Sequence, residues 1–185
     1  MSENVLKGFI IGKDAVRQII EKTVQDQGAS FSKKNKERLK GALEAVFEEG
    51  KSPKEALKVS DEDSNRLYMY GRTLFGAGKY LDACKVFNLL VNLEPANILF
   101  LKSFAVCQHR LEYYQEAFAN YIIAFCLDES DLMPLFYGYD CLFKLGDLPF
   151  AAHILRDLIS RAANRPEYEK LKKQAVLLLE CIYNK

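Results

Sequence analysis

The side chains best suited to metal ligation or to proton transfer near neutral pH are few. There are two histidines, His109 and His153, and five cysteines, Cys84, Cys107, Cys126, Cys141 and Cys181. Cys107 and His109 stand two residues apart in a helical pattern, so they point to different faces and cannot chelate one ion together. The cysteines are scattered singly with no CxxC pair. Their positions suit reduced core thiols of a cytosolic protein, and no sequence-adjacent base marks any of them as a nucleophile. His109 reads as a surface residue of a binding face, and His153 as a helix-surface or inter-helix residue. Asp140 with His109 is the one pair worth testing for acid–base work. The acidic run Asp128-Glu129-Ser130-Asp131 fits a loop and a helix N-terminus better than a cation site. The basic run Lys33-Lys34-Asn35-Lys36, with Arg38 beyond, lacks interleaved aromatics and fits a solvated helix face. No GxxxxGK[ST] phosphate loop occurs. The chain is therefore expected to be no enzyme and to need no metal or cofactor.

Bulk composition points the same way. The 185 residues are 49% apolar and 28% charged, as in a soluble globular protein with a good core. A net charge of +1 supplies no field for nucleic acid or anionic membrane. No apolar run approaches the roughly 18 residues of a membrane span. The opening MSENVLKGFIIGKDAV makes a poor secretory signal, because Lys13 and Asp14 cut its apolar part short. Twelve Phe and ten Tyr supply ample aromatic surface. Contact rather than catalysis is the chemistry this chain is equipped for.

The elements that position these residues follow from the stretch Leu67 to Pro95, which predicts two antiparallel helices. Gly71 is a small residue where a neighbouring helix can approach, Gly78-Lys79-Tyr80 make the turn, and Ala83 lets the second helix touch the first. Phe87 and Leu90 follow at helical spacing and Pro95 closes the unit. This order of small, aromatic and proline residues is the signature of a 34-residue tetratricopeptide repeat. Shifted by 68 residues, Leu67, Leu74, Phe75, Gly78 and Ala83 fall on Leu135, Leu142, Phe143, Gly146 and Ala151, all identical. Shifted by 34, Leu67, Tyr80 and Ala83 fall on Leu101, Tyr114 and Ala117, and Phe87 falls on Tyr121. The middle copy has Glu112 in place of the turn glycine and Glu129 in place of the proline. Repeats are assigned at roughly 64–97, 98–131 and 132–165.

Amphipathic helices flank them. Val16, Ile19, Ile20 and Val24 fall on one face of a helix from Lys13 to Gln27, ended by Gly28. Ser32 caps a second helix that carries Leu39, Leu43, Val46 and Phe47 on one side and stops at Gly50. Ser52-Pro53-Lys54-Glu55 and Ser60 with Asp63 are capping-box starts. The stripe of the first helix has no repeat partner of its own: it packs back on the first repeat or meets another chain. After Asn164-Arg165-Pro166, a last helix with Tyr168, Leu171, Ala175, Leu178 and Ile182 as its stripe covers the third repeat, since repeat stacks need caps. The expected organisation is all-α: an N-terminal arm and helices at 1–59, three repeats at 60–166 and a capping helix at 167–185.

In such repeats the first helix of each pair lines the inner surface, with inward side chains at i, i+4 and i+7. These positions are Tyr68, Arg72 and Phe75, then Lys102, Val106 and His109, then Phe136, Asp140 and Phe143. A surface of aromatics with charged spacers suits a peptide with a few apolar anchors, each contributing about 1.5–3 kcal/mol when fully buried.

Taken together, the tandem repeats, the N-terminal helices, the lead-in KSPKEALKVSDEDSNRLY, the turn GAGKYLDA and the element Tyr139-Asp140-Cys141-Leu142 resemble a known family. It is that of the tetratricopeptide class II chaperones of bacterial type III secretion, and the likeness covers about residues 35 to 160. The resemblance implies a cytoplasmic bacterial chaperone that keeps a secreted hydrophobic translocator protein soluble and export-competent by holding an extended segment in a concave groove. It implies pocket residues at Tyr68, Arg72 and Phe75. Arg72 departs from the family, where an aromatic often stands, and invites an acidic group or an aromatic face of the client. It also implies a homodimer formed through Val16, Ile19, Ile20 and Val24. The rival is a general repeat scaffold for another protein's peptide segment. Its carboxylate-clamp version needs basic and amide residues where this chain has Tyr68, Arg72, Ser103, Met133 and Tyr137, of which only one is basic.

Overall fold

Several helices in this chain begin where a side chain can occupy the orphan N–H groups of a first turn. Ser32 accepts from the Asn35 N–H at 3.4 Å and Asn97 from the Phe100 N–H at 3.3 Å. Ser52 accepts from the Glu55 N–H at 3.2 Å while the Glu55 carboxylate takes the Ser52 N–H at 2.8 Å, the reciprocal box expected from the sequence. Those bonds hold the Glu55 carboxyl below its usual range. Ser60 accepts from the Asp63 N–H at 3.1 Å and Asp147 from the Phe150 N–H at 3.2 Å.

The computed structural model describes residues 13–27 and 32–183, and among these it is all-α, with no strand. Ten α-helices run in order: α1 (Lys13–Gln27), α2 (Lys33–Phe47), α3 (Pro53–Ala56), α4 (Asp61–Gly76), α5 (Tyr80–Leu93), α6 (Ile98–Arg110), α7 (Tyr114–Leu127), α8 (Met133–Lys144), α9 (Leu148–Arg161) and α10 (Glu169–Tyr183). A 3-10 turn at Pro166–Tyr168 leads into α10. Two compact units result, residues 1–63 and residues 64–185.

In the first unit α1 packs on α2, tied by an ion pair between Arg17 and Glu48 at 3.1 Å. Ile20 is 2% exposed and Val24 is half-buried, while Ala42 and Ala45 are the buried residues of α2. So α1 finds an intramolecular partner in α2, a pairing absent from the alternatives the stripe suggested. The side chains of Val16 and Ile19, and Gly28, lie outside the described residues. Phe47, expected on the inner side of α2, is instead 59% exposed, because it is the last residue of that helix. Gly50 follows at φ +70°, past the end of α2.

In the second unit the helices pair as α4/α5, α6/α7 and α8/α9, three copies of one turn geometry. In the first turn Gly78 donates to the Phe75 carbonyl and Lys79 to that of Leu74, at 3.0 and 2.9 Å. Glu112 and Tyr113 repeat this bonding to His109 and Gln108, and Gly146 and Asp147 to Phe143 and Leu142. The φ values are +75° at Gly78, +80° at Gly146 and +64° at Glu112. The middle turn thus adopts the left-handed conformation without the glycine, which explains how the most degenerate copy keeps the fold.

Packing between the two helices of a pair is also copied. A Cβ on Gly71 would lie 2.8 Å from the Phe87 ring, so glycine is what admits that ring. One period later Ala105 and Tyr121 share a core cluster, each at most 1% exposed. Two periods later the ring has moved to the first helix, with Tyr139 facing the cluster of Leu155. Phe87, Tyr121 and Leu155 are therefore equivalent core residues. Tyr168, Leu171, Leu178 and Ile182 pack against that last cluster, and Ala175 is fully buried within it. The Tyr168 hydroxyl donates to the Ser130 carbonyl at 3.0 Å and accepts from the Leu132 N–H at 3.2 Å, tying the start of α10 to the link before α8.

Three cysteines are core thiols as expected, Cys84, Cys107 and Cys141. Cys126 and Cys181 are exposed instead. His153 is exposed on α9, its ring 6.2 Å from that of Phe150.

Candidate peptide-binding groove

Because α4, α6 and α8 recur at the same place in successive pairs, their i, i+4, i+7 residues fall in line. The structure gathers eight of the nine expected groove residues around two adjoining pockets. The first, of about 400 Å³, is lined by Tyr68, Arg72, Phe75, Phe87, Lys102 and Val106, with Ser103 and Gly76 at its edge. The second, of about 510 Å³, takes in Val106, His109, Phe136 and Asp140, with Tyr114, Tyr121, Tyr137, Arg110, Glu112 and Lys144. Val106 is the wall between them. Phe143 lines neither; it packs on the core of the third pair, 6.0 Å ring to ring from Tyr139.

The first pocket is an aromatic box with a cationic rim. The Tyr68 ring lies 5.8 Å from that of Phe87 and 5.7 Å from that of Phe100, so it packs between repeats on one side and faces the pocket on the other. Phe75 rests 5.0 Å from Tyr80. The Arg72 guanidinium stands 6.0 Å above the Tyr68 ring, within cation–π range. Lys102 is tied to Asp131 at 3.0 Å. No Asp or Glu lines this pocket.

The second pocket is built on polar contacts between helices. His109 Nε2 of α6 lies 2.9 Å from Asp140 Oδ2 of α8, and its Nδ1 faces the Tyr121 hydroxyl of α7 at 3.5 Å. Tyr121 is 1% exposed, and burial pushes its phenol well above the ordinary value. The Tyr137 ring stacks on that of Tyr121 at 5.5 Å. Gln108, also buried, accepts from the Asn120 side chain at 2.8 Å. The two charges of Arg110 and Lys144 offset those of Glu112 and Asp140, so this pocket carries no net sign when His109 is neutral.

The sequence reading of the inner helices missed the second helices. Phe87 and Tyr121 floor the two pockets, and their 34-residue equivalence was the available signal. Cys107 turns away from the groove into the core, fully buried, and its thiol is pushed up to about 12 by burial. Of the clamp positions, Tyr68, Arg72 and Ser103 line the first pocket and Tyr137 the second, and only Arg72 is basic. Among the described residues no group of three metal-ligating side chains comes together.

Fold and groove together define a class, the tetratricopeptide-like helical-pair stacks, and the chain is similar to the translocator chaperones of type III secretion within it. A TPR-like family model, that of anaphase-promoting complex (cyclosome) subunit 3, matches residues 54–124. The low calcium response locus protein H of Yersinia pseudotuberculosis is 26% identical over 141 residues, which are 76% of this chain and 84% of that one. SycD, the type III secretion translocator chaperone of Yersinia enterocolitica, solved with a peptide of the translocator YopD, superposes with a TM-score of 0.62 at 27% identity. The match covers 68% of this chain and 95% of SycD, which has also been solved as an alternative dimer. A chain of a type III secretion complex from Aeromonas hydrophila superposes with a TM-score of 0.67 at 26% identity, over 77% of this chain and 95% of that one.

Proposed function

We propose that this chain is a type III secretion chaperone that holds an extended segment of a hydrophobic translocator in the line of pockets along α4, α6 and α8. The observation that carries the reading is the pair of adjoining pockets walled by Val106, on a fold whose relative SycD has been solved with a translocator peptide. Tyr68, Arg72, Phe75, Lys102 and Val106 take one anchor of the segment. His109, Phe136 and Asp140 take the next, and Phe143 backs them from the core. Covering those anchors keeps an aggregation-prone client soluble until export. A few anchors suffice for micromolar binding after the segment's ordering entropy is offset.

The chain works in the bacterial cytoplasm and without catalysis. Among the described residues no helix is long and apolar enough to cross a membrane. The thiols nearby, Cys107 and Cys141, offer the bonded pair His109 and Asp140 no ready nucleophile, since both are fully buried and pushed up to about 12. Self-association belongs to the N-terminal helices and the stripe Val16, Ile19, Ile20 and Val24; Ile20 is taken up by α2, which leaves the half-buried Val24 as the described residue of the stripe that can meet a second chain. Light scattering at micromolar concentration should give the mass of two chains, and Val24→Glu should reduce it to one.

The decisive test is affinity capture from the native bacterium, comparing wild type with a Tyr68→Ala, Phe75→Ala double variant whose circular dichroism is unchanged. One or two hydrophobic secreted proteins should come down with wild type and be lost with the variant. An unchanged catch would overturn the groove, and a catch of general cytosolic assemblies would favour a scaffold.

A further inference from the structure

We infer that Arg72 selects an acidic side chain in the bound segment, next to the apolar anchor that enters the first pocket. The inference rests on the groove reading above and names the chemistry of its guest.

The two pockets differ in charge. The second balances Arg110 and Lys144 with Glu112 and Asp140. The first has two cations on its rim and no carboxylate in its lining. Lys102 is already answered, by Asp131 at 3.0 Å. Arg72 is not: among the described residues its one contact of note is the face of Tyr68, at 6.0 Å. The side chain is exposed and has no hydrogen-bond or ion-pair partner among the described residues, so its N–H edge is left to solvent. A segment laid over Tyr68 and Phe75 takes that edge out of water. An uncompensated guanidinium opposes such binding, whereas a carboxylate placed at the edge forms charge-assisted, bidentate bonds. An aromatic guest would meet a guanidinium that already has the Tyr68 ring beside it, so the unbonded N–H donors favour the acid. The second pocket also holds cations, Arg110 and Lys144, but in a lining that includes the carboxylates of Glu112 and Asp140, so the uncompensated sign lies at α4.

The test is an array of nonapeptides, acetylated and amidated so that their ends bring no charge. Each carries a few fixed leucine anchors, and around one of them the remaining positions are scanned with Asp, Asn, Lys and Phe. The array is probed with the labelled full chain and with Arg72→Gln, Arg72→Lys and Arg72→Glu, each checked for an unchanged helical spectrum. Wild type should prefer Asp over Asn at one position beside the leucine by roughly tenfold or more. Arg72→Lys should keep much of that preference, Arg72→Gln should abolish it, and Arg72→Glu should turn it towards Lys. A preference for Phe at that position, or an Asp preference that survives Arg72→Gln, overturns the inference and leaves the groove standing. A Tyr68→Ala, Phe75→Ala variant that binds the array as wild type does, or an array that wild type does not bind, removes the groove reading and the inference with it.

Discussion

His109 of α6 and Asp140 of α8 meet at 2.9 Å across two repeats, with the Tyr121 hydroxyl of α7 closing the other side of the imidazole at 3.5 Å. Three helices from two consecutive pairs are thereby fixed around the second pocket. Half-exposed pairs of this kind contribute modestly. Asp140→Ala and His109→Ala should each lower stability by about 0.5–1.5 kcal/mol in urea denaturation. A double-mutant cycle should recover a coupling of similar size, because the two residues bond to each other.

Glu112 holds a left-handed conformation, φ +64°, where its two equivalents are glycine. A side chain there costs roughly 1–2 kcal/mol. Glu112→Gly should therefore raise the urea midpoint by about 1 kcal/mol in stability with an unchanged slope. Gly78→Ala and Gly146→Ala should lower it by a comparable amount.

Gly71 marks the tightest contact of the first pair, with the Phe87 ring 2.8 Å from where a Cβ would stand. Gly71→Ala should destabilise by about 1–3 kcal/mol through overpacking. Adding Phe87→Leu should recover part of that loss, since the smaller side chain makes room. Because Phe87 floors the first pocket, the double variant should also bind a translocator peptide more weakly than wild type, as read by fluorescence anisotropy.

The cysteines separate by exposure. Cys126 and Cys181 should react with a thiol reagent in the native protein at mild pH, and all five should react after denaturation. Burial raises Cys107 and Cys141 from the ordinary 9.0 to about 12. Between those values the unfolded chain binds fewer protons than the folded one, so stability falls as pH rises above about 9. The loss is at most about 1.4 kcal/mol per thiol per pH unit. Cys107→Ala combined with Cys141→Ala should flatten this alkaline slope in denaturation curves taken across the window.

The period of the sequence disclosed the three pairs, their turns and the face that lines the pockets. It did so because a 34-residue unit repeats its sterics: Gly78, Glu112 and Gly146 take one conformation, and Phe87, Tyr121 and Leu155 one core position. The capping box at Ser52 and the helix cap at Ser60 were legible because their chemistry is local, three residues deep. What the pattern could not convey was depth. Phe143 has the inward spacing of a groove residue, yet the third pair turns its ring onto the core shared with α10. Nor could the stripe on α1 say which apolar surface it meets; α2 answers it within the chain. The His109–Asp140 bond joins residues 31 apart, and only the superposition of successive first helices brings them together.

The Tyr168 hydroxyl, bonded to Ser130 and Leu132, has a bearing on ancestry. Arrays of this kind grow and shrink by copying whole units. A unit copied in between α9 and α10 would carry Tyr168 away from both partners, leaving the Leu132 N–H orphaned 36 residues upstream and the Ser130 carbonyl with Arg165 as its only remaining donor among the described residues. A unit copied in ahead of α6 would leave that clasp untouched. Descendants of this chain are free to lengthen their groove from the α4 side, while the final pair and its lid are inherited as one piece.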